Sequence, residues 1–69
     1  MEKRIILKGK REDCKEFTIF LSWYHSAIGR ITSVVRNDED KTVNLNLLID
    51  EERLDDLLIW AKQYELRVL

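Results

Sequence analysis

Hydrophobic and polar positions along this chain follow two periods, and the changes between them divide the sequence into six elements. Runs that alternate between apolar and polar residues, or that are rich in β-branched residues, predict strands. These strands are expected over residues 3–8, 30–36, 42–49 and 66–69. Apolar residues spaced three and four apart predict helices over residues 13–28 and 51–64. The predicted order is therefore strand, helix, strand, strand, helix, strand.

Short polar residues and a glycine mark the expected ends of these elements. Asp13 with Glu16 forms an acidic version of the capping box at the start of the first helix. Gly29 follows that helix as a C′ residue, a position that favours the left-handed conformation. The polar cluster 37–40 predicts a hairpin turn between the two middle strands. Asp50 is the predicted N-cap of the second helix.

This element order is typical of one α+β architecture. It predicts the split βαβ, or ferredoxin-like, fold, in which two helices cover one face of a four-stranded antiparallel sheet. A chain of 69 residues has room for one such domain, spanning 1–69. Chains this short bury little apolar surface, and oligomerisation is a common remedy.

The helices carry more apolar surface than this core requires. At about 100° per residue, one arc of the first helix holds the residues expected to cover the sheet: Phe17, Phe20, Leu21, Tyr24, Ala27 and Ile28. The corresponding arc of the second helix holds Leu54, Leu57, Leu58 and Ala61. Ile19 and Trp23 form an i,i+4 pair beyond the first arc, Trp60 borders the second arc, and Ile59 stands among polar neighbours.

Two interpretations of these extra apolar residues remain. Both tryptophans could cover the groove between the helices, as large aromatic residues often do at the rim of a small core. Alternatively, Ile19, Trp23, Ile59 and Trp60 form a surface that binds another protein or a second copy of the chain. We expect the second arrangement, with a homodimer as its simplest form.

The sheet face opposite the helices is expected to be polar and basic. Strand alternation directs these residues outward: Arg4, Ile6, Lys8, Thr32, Val34, Arg36, Asn44, Asn46, Leu48 and Arg67. An alternative function is therefore the binding of an anionic ligand through Arg4, Lys8, Arg36, Asn44 and Asn46. A solvated face, or pairing of two sheets through Ile6, Val34 and Leu48, is also compatible with the pattern.

Charge is distributed unevenly although the net charge is only −1. Six of the first fifteen residues are basic, whereas acidic residues gather in the hairpin turn and at the start of the second helix. A basic sheet face can attract phosphates or nucleic acid. However, domains of the RRM type stack bases on aromatic residues of this face, and the outward positions here contain none. Nucleic acid is therefore a less favoured partner.

Residues suited to catalysis or metal binding do not converge. Cys14 and His25 are eleven residues apart, which places them about 16 Å apart along a helix. One zinc ion or one proton transfer cannot span that distance. We therefore expect neither an enzyme nor a bound metal or cofactor. The single cysteine and the lack of a membrane-spanning run favour a cytoplasmic protein with no membrane partner.

In element order and length the chain resembles ACT domains, which bind amino-acid effectors. It has Asp13-Cys14-Lys15 where those domains usually carry Pro-Gly at the start of the first helix. The resemblance implies an effector site at a dimer interface. Taken together, the sequence predicts a non-catalytic interaction or regulatory module, such as a cellular regulator or an inhibitor, with a ligand-binding domain as the alternative.

Overall fold

The computed structural model describes residues 1–24 and 28–69 and has the predicted order of elements. The strands are β1 (Glu2–Lys10), β2 (Gly29–Asn37), β3 (Thr42–Asp50) and β4 (Arg67–Val68). The helices are α1 (Arg11–Tyr24) and α2 (Leu54–Gln63), and a single 3₁₀ turn, Glu51–Arg53, precedes α2. The sheet is antiparallel with the order β2-β3-β1-β4. The ferredoxin-like split βαβ fold is thus confirmed.

The core lies between the helices and one face of the sheet. Alternate residues of the two central strands are buried: Ile5, Leu7, Val43, Leu45, Leu47 and Ile49. The helices cover them with Cys14, Phe17, Leu21, Leu57 and Ala61. Full burial of one large aliphatic or aromatic side chain is worth roughly 1.5–3 kcal/mol relative to exposure. These residues therefore supply most of the energy that holds the helices on the sheet.

An aromatic cluster joins the two helices above this core. The Phe17 and Tyr64 ring centroids are 5.6 Å apart in an edge-to-face arrangement, and Phe20 meets Trp60 in the same way at 5.5 Å. Such pairs contribute about 0.5–1.5 kcal/mol beyond the area they bury. The cluster fixes the distance between α1 and α2.

The helix ends differ in part from the sequence prediction. Because α1 begins at Arg11, directly after β1, Asp13 is the third helical residue and is not an N-cap. Asp50 is an N-cap as predicted, but it caps the 3₁₀ turn that precedes α2: its Oδ1 accepts a hydrogen bond of 3.1 Å from the Glu52 amide. Arg53 occupies the N-cap position of α2 itself. At the C-terminal end of α2, Glu65 adopts the left-handed conformation with φ of 60°. The Leu66 amide then donates to the Ala61 carbonyl, which completes a Schellman motif.

Gly29 has a different role from the one predicted. It is the first residue of β2, and no described glycine has a positive φ. A Cβ atom at Gly29 would lie 2.8 Å from the Leu48 carbonyl oxygen and 3.2 Å from the Ile49 Cα. The glycine is therefore needed for the close approach of β2 to β3, not for a left-handed cap.

A β-bulge in β2 changes which residues face the helices. Ile31 lies opposite Leu47, but Ser33 lies opposite Asn46, so the strand gains one residue at Thr32. Val34 then pairs with Leu45 and Arg36 with Val43, both of which are buried on the helix side. The prediction that Val34 and Arg36 belong to the open face is thus wrong, because one inserted residue moves every later side chain to the opposite face.

The remaining structural predictions concern membrane crossing and residues 25–27. None of the helices in the described ranges is long and apolar enough to cross a membrane. The predictions for His25 and Ala27, and for the last residues of the first helix, lie outside the described residues.

Candidate protein-binding surface

The first helix presents two apolar sides. Its core side carries Phe17 and Leu21, both of which are buried in the core cluster. Ile19 and Trp23 lie on the other side, one helical turn apart, and therefore next to each other. Trp23 is 80% exposed and Ile19 is 50% exposed. This pair contributes almost nothing to the core.

The second helix repeats the arrangement with a single residue. Leu57 and Ala61 are buried against the sheet, whereas Ile59 is 58% exposed. Because both helices cover the same face of the sheet, their exposed sides point away from it in the same direction. We call Ile19, Trp23 and Ile59 the outer helix surface. The structure thus places three of the four predicted contact residues on the outside of the helical layer.

Trp60, the fourth predicted contact residue, is placed differently. It is half-buried and packs against the core, and its ring meets Phe20 at an interplanar angle of 77°. The interpretation that the tryptophans cover the groove between the helices therefore describes Trp60 and does not describe Trp23. Any contact that Trp60 makes with a partner would use only its exposed part.

Charged residues of both signs surround the outer helix surface. Glu12 and Glu16 on α1 and Asp55 on α2 are exposed, as are Lys15 and Lys62. Arg53 and Asp56, at the start of α2, form an exposed ion pair of 3.0 Å. Such exposed pairs contribute little to stability. The apolar residues therefore stand within a surface of mixed charge and not within a field of one sign.

The opposite face of the sheet carries a polar network at its hairpin end. Lys8 Nζ lies 2.9 Å from Asp40 Oδ2, and the Thr42 hydroxyl donates to Asp40 Oδ1 at 2.6 Å. The Thr42 hydroxyl and Lys8 together lower the pKa of Asp40 from 3.8 to about 2. Asn37 donates to the Asn44 side-chain oxygen at 2.9 Å. The hairpin is thus fastened to the sheet by its own side chains.

This network bears directly on the predicted anion site. Arg4, Lys8, Asn44 and Asn46 do share the open face, because they occupy matching positions on β1 and β3. Lys8 is already paired with Asp40, however, and Arg36 lies on the helix side. The structure therefore brings four of the five predicted residues to one face. Of these four, Lys8 already forms an ion pair with Asp40, and the fifth residue, Arg36, lies on the other face.

Arg30 and Val35 are among the residues of the open face that were missed from the sequence. Arg30 lies opposite Leu48 and Val35 lies opposite Asn44, so both share a face with Arg4 and Lys8. Val35 was missed because the bulge reverses the alternation after Thr32. Arg30 precedes the bulge, and the period-two alternation of β2 already places it on this face. The face is therefore basic at one end and has an exposed valine at its β2 side.

Cys14 behaves as a small apolar residue. Its side chain is buried, and Sγ contacts the Val43 carbonyl oxygen at 3.6 Å. Burial, with a smaller effect from Asp13, raises the pKa of the thiol above its ordinary value. The thiol is therefore protonated at neutral pH. Among the described residues, no three His, Cys, Asp or Glu side chains are grouped so that they could hold a metal ion.

The chain matches no protein-family model, no curated protein and no solved structure.

Proposed function

We propose that this protein is a small, non-catalytic interaction module that forms a homodimer through the outer helix surface. The observation that carries the proposal is the position of Trp23. A tryptophan that is 80% exposed, next to Ile19 and away from the core, leaves a large apolar area in water. Aromatic residues in such positions tend to mark protein interfaces.

The energetics favour burial of this surface. Removing apolar area from water contributes about 25 cal/mol per Å². Tryptophan is among the residues whose truncation most often costs about 2 kcal/mol or more at an interface. Ile19 and Ile59 would extend the buried area on both helices. In this proposal Trp23 is the main contact residue of the interface, and Ile19 and Ile59 add apolar contacts beside it.

Two further observations favour a second copy of the chain as the partner. In a two-fold interface the same patch of each copy packs against the other. Because both acidic residues and lysines surround this apolar patch, two copies can pack together there without a large electrostatic repulsion. The net charge of −1 adds little repulsion between two copies. Dimerisation also compensates for the limited core of a chain of 69 residues.

The proposal is tested by the solution mass, measured by light scattering over a wide range of protein concentration. The wild type should change from monomer at low concentration to dimer at high concentration. Trp23→Glu should remain monomeric throughout. Val35→Glu is the matched control, because it places the same charge at an exposed apolar residue on the opposite side of the sheet. This control should dimerise like the wild type.

Circular dichroism of each variant separates loss of association from loss of folding. If Trp23→Glu fails to fold, Ile19→Lys provides a second test of the same surface, since Ile19 is exposed on the same side of α1. A wild type that stays monomeric at every concentration would contradict the proposal. So would a dimer that both Trp23→Glu and Ile19→Lys leave intact.

A further inference from the structure

The two edges of the sheet are unequal. On one side, β4 is only two residues long, which offers little backbone for another strand. On the other side, β2 has nine residues, and within the described part of the chain β3 is its single neighbour. It contains no proline. Its outer edge therefore presents a long row of backbone groups that another strand could pair with.

Exposed apolar side chains lie on both faces of this edge. Val34 is 56% exposed on the helix side, and Val35 is 49% exposed on the open side. Valine favours strand pairing, and cross-strand apolar contacts contribute about 0.2–1 kcal/mol each. An added strand would therefore gain contacts on both of its faces.

A groove runs beside β2 on the helix side, and it consists of three adjoining cavities. One cavity of about 280 Å³ lies between Cys14 and Thr18 of α1 and Val34 of β2. A second cavity of about 330 Å³ shares Thr18 with the first and reaches Ile31. A third, of about 310 Å³, shares Arg11 and Arg36 with the first and ends at the hairpin. Together they follow the full length of the strand.

The rim of this groove is strongly basic. Four cationic residues line the groove on the helix side: Arg11, Lys15, Arg36 and Lys41. Arg30 also borders the second cavity, but its position opposite Leu48 places it on the open face. Asp38 is the one acidic residue that lines the three cavities. Within the described ranges none of these cations forms an ion pair. The groove therefore has an apolar floor and a positive rim without neutralising partners.

We propose that the outer edge of β2 and this groove bind an extended, acidic segment of another protein, which pairs with β2 as a fifth strand. Charge disfavours the β2 strand of a second copy as the occupant, because β2 contains two arginines and no acid. Pairing β2 with itself would bring four arginines to one edge without a carboxylate. An acidic segment instead meets cations on α1, β2 and the hairpin.

The geometry specifies the pattern of the segment. A residue opposite Val34 on the groove side is apolar, because it lies beside Val34, Val43 and Leu45. The segment residue two positions further along points to the same side of the strand. It lies opposite Arg36 and faces Arg11 across the groove. That position takes Asp or Glu. The groove does not include Ile19, Trp23 or Ile59, although Lys15 borders both surfaces.

The probe is a capped peptide of nine residues, which is the length of β2. Threonine occupies the odd-numbered positions, and the even-numbered positions are glutamate, valine, glutamate and valine. Titration is followed by the amide signals of the protein in NMR spectra. We expect saturable binding, with the largest changes and new exchange protection in β2. Binding should weaken as salt is added, because the rim charges are exposed.

Two variants locate the site. Arg36→Glu should weaken peptide binding about tenfold or more, since it turns an attraction into a repulsion. Arg67→Glu is the matched control, because it makes the same charge change on β4, at the far edge of the sheet. It should change the affinity by less than about twofold. Circular dichroism confirms that both variants are folded.

Two altered peptides test the mode of binding. A peptide with N-methyl groups on alternate residues along one edge, which cannot pair through that edge, should lose binding if that edge faces β2. A second version, methylated along the other edge, should retain binding. Replacement of both glutamates by lysine should also abolish binding.

The proposal is overturned by absence of binding at millimolar peptide, by changes that fall outside β2 and α1, or by equal binding of the lysine peptide. Equal loss in Arg67→Glu would also overturn it.

Discussion

Trp23 and Trp60 are the two tryptophans of this chain, and both lie on the helical layer, yet the structure treats them in opposite ways. Trp60 is half-buried, with its ring edge against Phe20 and its helix packed on the core. Trp23 is 80% exposed and lies beside another exposed apolar residue, Ile19. The same residue type therefore packs against the core in one place and is exposed to solvent in the other.

This difference shows that aromatic content alone does not identify an interface. What distinguishes the two residues is whether the core is complete without them. Phe17, Leu21 and Leu57 close the core under the helices, and Phe20 needs Trp60 to close the gap between them. In the part of the chain that the structure describes, Trp23 is not among the residues that form the core or pack against it. Its surface is therefore available to a partner.

The largest expected effect is on stability, from Trp60→Ala. Removing a half-buried ring from the aromatic cluster should lower the free energy of unfolding by about 2–3 kcal/mol, slightly less than for a fully buried tryptophan. Urea unfolding followed by circular dichroism measures this. In dilute protein, where the dimer is dissociated, Trp23→Ala should change the same quantity by less than about 0.5 kcal/mol. Equal losses of unfolding free energy in Trp60→Ala and Trp23→Ala would show that the two tryptophans contribute equally to the fold, contrary to this account.

The reverse order is expected for association. Trp23→Ala should weaken dimerisation by about 2 kcal/mol, which is roughly thirtyfold in the dissociation constant. Trp60→Phe, which keeps an aromatic ring against Phe20, should leave dimerisation within about twofold of the wild type. Sedimentation equilibrium gives both constants. A stronger effect from Trp60→Phe would place the interface in the groove between the helices.

A smaller gain in stability is expected from Glu65→Gly. Glu65 has φ of 60° at the C-terminal end of α2, where glycine is free of the steric cost that a side chain imposes. The substitution should raise the free energy of unfolding by about 0.5–1 kcal/mol. Because it strengthens the helix that carries Trp60 and does not touch the outer helix surface, the dimerisation constant should stay unchanged. A lower unfolding midpoint in urea would contradict this.

The smallest effect concerns pH and lies far from both tryptophans. The pKa of Asp40 is lowered from 3.8 to about 2 by the Thr42 hydroxyl and Lys8. The carboxylate therefore stabilises the fold at pH values above 3.8, and this contribution is lost as the pH falls toward 2. The difference in urea stability between the wild type and Asp40→Asn should shrink over that interval. It should do so equally in the Trp23→Ala and Trp60→Ala backgrounds.

The sequence was sufficient for the order of the elements and for much of the core. The alternation of Val43, Leu45, Leu47 and Ile49 identified the buried face of β3, and Asp50 was correctly identified as a helix cap. These features are local, because they depend on the period of one strand and on one side chain beside its own backbone. Such patterns can be recognised in the sequence because they do not depend on how distant parts of the chain pair.

The features that could not be predicted depend on pairing between distant residues. The bulge at Thr32 arises from how β2 meets β3, and it alone moved Val34 and Arg36 to the helix side. Helical spacing also placed Trp60 near the arc of the core but could not show that Phe20 would meet it. The groove beside β2, with its basic rim, follows from that same bulge and from the position of α1.

The most direct test of the central claim is the fluorescence of each tryptophan as the protein is diluted. In Trp60→Phe, where Trp23 is the single tryptophan, the tryptophan emission should be blue-shifted at high concentration and move to the wavelength of a solvated indole on dilution. In Trp23→Phe, the emission of Trp60 should not change. If Trp23 shows the emission of a fully solvated indole at every concentration, the outer helix surface is not a dimer interface.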